Sequence, residues 1–550
     1  MAGQKRLVRA GIVGLAASAL VLTGCSTGGD NGDPGEDIPK GEIGGEAIYA
    51  IDTNLLNLDP NTSPSAQDAR VMRQAFDNLV AYDENKELVE WLATDWKISD
   101  DGKEYTFTLR DDVTFWDDTK FNAEAVCFNL DRIKDPASGS RNSISLIGPY
   151  ESCSAPDEKT AIVKFSAPYA PFMAVLTSPF LGMVSPTAAK AVAPADFTLA
   201  PTGSGPFIIE SYTPADKVVL VANTKYNWGP KNAAHEGRAY LDKITYQIVP
   251  DPTVRLGSLR SGQFQAIGNV PEIEAKSVED DPTMTFYAVQ QSGAPFQYHF
   301  NSASPRVPLN DPKIREAIRL GFDIDSTVKT LYLGVYQRAW GPLAPTTVSY
   351  DKSVENSFKY DPEAAKKILE DAGWKAGADG IREKDGKKFK LILSGGTPNR
   401  EKRQDIAEFF KANMKEIGID VEVVLNQSAA GTQMSQEGTA DIYELSLVNI
   451  GPNVLYTNYE PRFIPKPGYS GFNLSRTDNA ALTAKLLEAQ QESDAAKRDK
   501  LYSEIQKEII KEVRSVAVYV PTFTMATNGI QGMRFDAEGY PIWYDVSLKK

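Results

Sequence analysis

Ala93-Thr94-Asp95-Trp96-Lys97-Ile98-Ser99-Asp100-Asp101-Gly102-Lys103-Glu104-Tyr105-Thr106-Phe107-Thr108-Leu109-Arg110-Asp111-Asp112-Val113-Thr114-Phe115 is the stretch whose reading decides the fold. Ser99-Asp100-Asp101-Gly102 is a turn signal, because Asp side chains bond their own backbone and Gly tolerates positive φ. Beyond it Tyr105, Phe107 and Leu109 alternate with Thr106 and Thr108, the period-two pattern of a half-buried strand. Trp96 and these three apolar side chains read as the packing of a domain and not as a site. Farther on, Asn122 is the N-cap of a helix running to about Ile133, ended before Pro136.

The pattern extends outward in both directions. Residues 48–51 read as a short strand, and 68–79 as a helix with Val71, Ala75 and Leu79 on one face. Residues 207–212 and 218–222 flank the turn Pro214-Ala215-Asp216 and predict a hairpin. Residues 241–248 read as a strand and 252–260 as a helix closed by Gly262. In the second half, Asp361-Pro362 opens a helix and Gly373 sits where a C′ glycine belongs. Residues 391–393 and 419–425 are strands. Residues 403–417 are a helix with Ile406, Phe410, Met414 and Ile417 on its inner face, and 501–513 are amphipathic. Strands interleaved with helices indicate an α/β body. A chain of 550 residues exceeds one core and predicts two or three domains.

The formal net charge is −14. Phosphate binding needs a basic surface, so this balance argues against a nucleic-acid partner. Three Cys and two His leave little for a metal cluster or a thiol mechanism. His235 and His299 stand far apart and near no motif, so both read as surface or satisfied core imidazoles. No cofactor and no metal are expected.

Residues 1–24 read as a signal peptide. Lys5, Arg6 and Arg9 precede an apolar run over 10–22, shorter than the ~20 residues a membrane span needs. Leu22-Thr23-Gly24-Cys25 resembles the bacterial lipobox, in which the Cys is lipid-modified. Two acyl chains on Cys25 hold a protein stably where one does not. Residues 25–41 are rich in Gly, Asp and Pro and read as a flexible tether. The expected location is therefore the outer face of the cell membrane, through a lipid anchor. Cys127 and Cys153 remain as an even pair in an oxidising compartment and predict a disulfide.

Four stretches together resemble one family, the peptide/nickel-type (cluster C, family 5) solute-binding proteins of ABC importers. They are residues 93–115; Pro201-Thr202-Gly203-Ser204-Gly205-Pro206-Phe207 with Asn223-Thr224-Lys225-Tyr226-Asn227; Arg255-Leu256-Gly257-Ser258-Leu259-Arg260-Ser261-Gly262; and Asp311-Pro312-Lys313-Ile314-Arg315-Glu316-Ala317-Ile318 through Phe322-Asp323-Ile324-Asp325. Order and spacing match from about residue 42 to the C-terminus. The resemblance implies an α/β, two-lobe periplasmic-binding-protein (Venus flytrap) fold of type II with an extra inserted domain. By analogy the first lobe comprises 42–84, 203–294 and 518–550, the inserted domain 85–202 and the second lobe 295–517. It also implies a monomer that captures a small molecule or peptide and passes it to the permease subunits of an ABC transporter. Gly203-Ser204-Gly205-Pro206 lacks the spacing of a nucleophile elbow or a P-loop and reads as a tight turn where domains cross.

Peptide binders of this family carry Trp-x-x-Asp-x-x-Asp-Pro in the second lobe, the first Asp pairing with the ligand's amino terminus. The matching stretch here is Leu445-Ser446-Leu447-Val448-Asn449-Ile450-Gly451-Pro452-Asn453, with Val448 in the Asp position. Either another acid serves (Glu444, Asp441 or Glu460), or the ligand is not a simple free peptide. Ser446, Asn449, Asn453, Tyr456 and Tyr459 supply neutral hydrogen-bonding groups, which suit polar ligands. Ser63, Trp340 and Tyr519 complete the candidate contacts, from loops that border the cleft in the family. The alternatives are a non-peptide polar solute such as an oligosaccharide, a sensor-only binding module, and a secreted hydrolase. The hydrolase needs a nucleophile–base or paired-carboxylate motif, which the sequence does not gather.

Overall fold

The computed structural model describes residues 41–63, 65–140 and 142–549. The signal, Cys25 and almost all of the tether reading lie outside the described residues. Two sheets organise the body. The first has seven strands in the order Met284–Gln290, Thr522–Asn528, Ala266–Gly268, Glu46–Ile51, Lys243–Ile248, Lys217–Ala222 and Phe207–Thr213. The second has five, in the order Asp420–Asn426, Lys390–Gly396, Ile442–Val448, Gly293–Phe300 and Ser515–Tyr519. A four-stranded sheet of Ala93–Ile98, Glu104–Leu109, Thr160–Phe165 and Tyr150–Asp157 makes the inserted domain.

The signature stretch behaves as its alternation dictates. Trp96 pairs with Phe107 across the hairpin, and Tyr105, Phe107 and Leu109 are buried. Their core is continuous with that of the first lobe, running from Tyr49 and Tyr246 through Phe76 to Phe107 and Phe172. The inserted domain and first lobe therefore share one hydrophobic interior. The second lobe has its own, built on Phe296, Tyr298, Phe322, Phe410 and Ile442. Separate cores are what allow two lobes to move as bodies.

The chain crosses between the two sheets at two adjacent places. One strand leaves the first sheet at Gln290 and enters the second at Gly293; another leaves the second at Tyr519 and enters the first at Thr522. The boundaries expected from the sequence, 294/295 and 517/518, fall within a few residues of these exchanges. The crossings are clasped by Gln291, whose N–H donates to the Pro521 carbonyl at 2.8 Å. Gly293 has φ +107°, and a Cβ there would meet the Leu447 carbonyl oxygen at 2.2 Å. Only Gly fits both the backbone angle and the close approach.

The helix read over 68–79 forms over Ala66–Ala75 and stops early. Phe76 turns extended, with φ −130° and ψ 132°. Gly203 and Gly205 lie against the Ala75 backbone, where a Cβ would fall 2.3 Å from its oxygen and 2.5 Å from its carbonyl carbon respectively. Asp77, just beyond, accepts from Ser204 Oγ, Tyr226 OH and Trp228 Nε1. Periodicity could not register this crossing segment, which ends the helix and takes Leu79 into the core by another route. Ser204 is thus held in a buried polar knot at the domain crossing. Cys127, in helix Ala123–Lys134, is bonded to Cys153 in the strand Tyr150–Asp157, with the Cα atoms 5.0 Å apart, inside the usual disulfide range.

Candidate functional site

The site sits where strands of the second lobe run toward the crossings. After the strand Lys390–Gly396 the chain makes a tight turn over Arg400–Lys402, in which Glu401 and Lys402 both take positive φ (51° and 53°). Two consecutive non-glycine residues in the left-handed region are costly, and such outliers persist where surrounding bonds over-determine them. Here the Glu401 carbonyl accepts from Tyr332 OH at 2.6 Å, and Lys402 Nζ donates to the Leu331 carbonyl at 2.6 Å. Lys402 also pairs with Glu272 of the first lobe at 2.9 Å. The turn delivers Arg403 as the first residue of helix Arg403–Glu416.

Arg403 is buried and converges with three side chains. Its Nη2 donates to Glu401 Oε2 at 2.6 Å and to Ser446 Oγ at 2.7 Å. Its Nε donates to Tyr519 OH at 3.1 Å, and Tyr519 OH donates in turn to Glu401 Oε2 at 2.5 Å. The guanidinium lies 4.6 Å over the Phe296 ring, which stacks on Tyr519. Tyr332 and Tyr336 stack on each other at 4.4 Å and both lean on Tyr519. Burial works against the Glu401 charge, but Arg403, Arg400 and the Tyr519 hydrogen bond hold its carboxyl down to about 2. Burial drives the Tyr519 phenol well above its ordinary range, so it acts as a neutral donor.

Glu444, on the strand beside Ser446, accepts from the Gly396 N–H through Oε1 at 3.0 Å. Its Oε2 is buried without a partner, and burial raises its pKa against the pull of Arg403. Of the three acids proposed from sequence to replace the missing Asp, Glu444 alone has a buried oxygen without a partner. Asp441 accepts from Arg306, Ser304 and the Ile392 N–H. Glu460 holds Arg462 through Nε and caps its own turn.

The first lobe contributes Arg70, from helix Ala66–Ala75, whose guanidinium lies 4.0 Å over the Phe523 ring. Phe523 is the second residue of the strand that follows the crossing. Tyr336 of the second lobe feels the charges of Glu401, Glu272, Arg70 and Arg403, while burial keeps its phenol protonated. Charges from both lobes thus act on the same phenol.

Among the residues named from sequence, Ser446 and Tyr519 meet at Arg403. Val448 ends its strand opposite Gly293 and packs against the first lobe's core. Asn449 accepts from the Gly451 N–H, and its own N–H donates to the Ser292 carbonyl beside the crossing. Asn453 bridges to the inserted domain, donating to Tyr169 OH at 3.3 Å and accepting from Gln490 Nε2 at 3.0 Å. Tyr456 packs edge-on to Phe463. Tyr459 is fully buried with its hydroxyl 2.7 Å from Ser515 Oγ. Trp340 lies under the Arg338 guanidinium, with its ring centroid 5.9 Å from that of Phe358. Ser63 is buried and donates to Asp68 Oδ2 at 2.7 Å, inside the first lobe's loop. Arg403, Glu401 and Arg70 were missed. Each reads as an ordinary charged helix or loop residue; burial sets Arg403 and Arg70 apart, and Glu401 is set apart by its partners. Among the described residues no group of His, Cys, Asp and Glu is gathered to hold a metal ion, and no helix is long and apolar enough to cross a membrane.

Comparison with known proteins agrees with this architecture. Residues 87–462 match the model described as bacterial extracellular solute-binding proteins, family 5 middle. Heme-binding protein A of Haemophilus influenzae is 27% identical, over 97% of this chain and 98% of its own. The glutathione-binding protein GsiB of Escherichia coli O1:K1 / APEC is 26% identical over 85% and 87% respectively. The ABC transporter-associated periplasmic binding protein DppA of Helicobacter pylori, solved with the peptide STSA, superposes with a TM-score of 0.79. It is 24% identical and covers 92% of this chain and 99% of its own.

Proposed function

The chain belongs to the bacterial extracellular solute-binding proteins of family 5, and from that membership we propose that it captures a peptide-like solute between its lobes and delivers it to an ABC-type permease. The family is one of binding proteins, and this chain is not an enzyme. In the proposed cycle Cys25 carries the lipid that holds the monomer at the outer face of the cell membrane, and residues 25–41 act as the tether. A ligand touching both lobes favours the closed arrangement by its differential affinity, which a permease can read.

The observation that carries this reading is the Arg403–Glu401–Tyr519–Ser446 network at the crossings. It presents fixed, desolvated hydrogen-bonding groups beside aromatic faces, the make-up of a small-solute site. The peptide character is supported by the peptide- and glutathione-binding names of similar proteins and by the unpartnered oxygen of Glu444, which suits an ammonium. A second reading, a non-peptide polar solute, is favoured by one observation: Val448 supplies no charge where peptide binders have their Asp.

Thermal shift of the soluble body against free peptides and oligosaccharides tests the choice, since a ligand raises the melting temperature by linkage. Peptides should shift it and oligosaccharides should not. The reverse would replace the peptide-like reading with the second. Loss of peptide uptake on deletion of the gene tests delivery, and unchanged uptake would remove the transport role.

A further inference from the structure

Arg70 breaks a rule that other buried arginines of this chain obey. Arg73, one turn along the same helix, donates to Asp536 Oδ2 at 2.7 Å, Asn78 Oδ1 at 2.9 Å and the Thr177 carbonyl at 2.7 Å. Arg255 donates to the carbonyls of Val249, Pro250 and Asn269, and Arg315 to those of Leu309, Glu512 and Val513. Arg70 is only 5% exposed. Yet its guanidinium has no hydrogen-bond or ion-pair partner among the described residues, only the face of Phe523. A ring face compensates a desolvated cation poorly, and buried charges are normally paired.

The surroundings hold spare donors as well. Tyr49 OH and Tyr540 OH are buried and without a partner, and both rings feel the Arg70 charge. Burial keeps both phenols protonated, with Tyr49 pushed up to about 12. A guanidinium and two O–H groups, without hydrogen-bond partners among the described residues, make a donor-rich set. Three of the nearby acids have partners. Asp52 accepts from Thr53, Glu272 pairs with Lys402 and Asp536 with Arg73. Glu538, whose Oε2 is also buried without a partner, is pushed up to about 8 by burial and by Asp536, which favours its neutral form.

We propose that Arg70 is the first lobe's seat for a carboxylate of the captured solute, with Tyr49 and Tyr540 as auxiliary donors and Tyr336 of the second lobe closing over it. A carboxylate accepts two parallel N–H bonds from a guanidinium, the strong geometry for this pair. Tyr336 packs on Tyr519 of the Arg403 network and feels the Arg70 charge, so a small molecule seated on Arg70 would extend toward the second lobe. This inference rests on the solute-binding reading above and adds the chemical requirement that the solute be an acid.

The test is calorimetric titration of the full chain and its Arg70→Met variant with free di- to pentapeptides, glutathione, and the same molecules as C-terminal amides (for glutathione, the diamide). We expect acids to bind the unmodified chain about 30-fold or more tighter than amides, the size of a good charge-assisted pair. That preference should vanish in Arg70→Met, whose melting temperature without ligand should be no lower than that of the parent. Equal binding of acids and amides by the parent, an undiminished preference in the variant, or a lower-melting variant overturns the seat and leaves solute binding standing. Failure of every acid and amide to bind overturns the seat together with the peptide-like reading.

Discussion

Tyr519 donates its hydroxyl to Glu401 Oε2 at 2.5 Å while Arg403 holds the same oxygen from the other side at 2.6 Å. The strand that carries Tyr519 leads straight into the crossing to the first lobe, so this contact ties the turn over Arg400–Lys402 to the hinge. Arg403→Met leaves the Glu401 carboxylate buried without its main partner and should cost about 3 kcal/mol in urea unfolding. Tyr519→Phe removes two hydrogen bonds but keeps the Arg403–Glu401 pair, and should cost less, about 2 kcal/mol. Equal costs would mean that the cation is not what holds the turn.

The carboxyls predict opposite responses to pH. Glu401 is depressed from 4.5 to about 2, so its contribution is full above 4.5 and is lost as pH falls toward 2. Glu538 is raised from 4.5 to about 8, so the fold favours its protonated form and loses that contribution as pH rises from 4.5 through 8. Glu538→Gln should therefore melt higher than the parent at pH 8, with the gap shrinking to nothing near pH 4.5. A gap independent of pH would show that Glu538 does not titrate in this window.

Gly293 tests the crossing itself. Alanine there meets the Leu447 oxygen and the Asn449 nitrogen, at a backbone angle that L-residues rarely adopt. Gly293→Ala should lose about 2 kcal/mol or more, measured by chemical denaturation. Gly451→Ala, where a Cβ meets nothing within 4 Å, is the matched control and should lose little.

Cys127→Ser with Cys153→Ser opens a loop of 26 residues. In the chain-entropy view this costs about 3 kcal/mol, read as a lower urea midpoint that added reductant no longer shifts.

Cys25→Ala should release the protein from the membrane fraction into the medium. An unchanged membrane fraction rejects the lipid anchor.

The fold was legible where burial imposes a period. The alternation of Tyr105, Phe107 and Leu109 and the stripe of Ile406, Phe410 and Met414 follow from one wet and one dry face, which a sequence records directly. The end of the helix at Ala75 was not legible, because its cause is a pair of glycines at 203 and 205 brought there by tertiary packing. The site was half legible. Ser446 and Tyr519 were named through the family's pattern. Arg403 and Arg70 were not, because a buried arginine carries no local mark: its burial and its lack or gain of a partner arise from segments hundreds of positions away. Among Glu444, Asp441 and Glu460, the choice needed the partners of each carboxylate, which only coordinates supply.

Small-angle X-ray scattering, with and without a peptide hydrolysate fraction below about 1 kDa, tests the central claim most directly, since lobes that close on a solute draw together. The radius of gyration should fall when the hydrolysate is added and stay unchanged when Arg70 and Arg403 are both replaced by Met. An unaltered radius in the parent chain, under conditions where the hydrolysate raises its melting temperature, would contradict capture between the lobes.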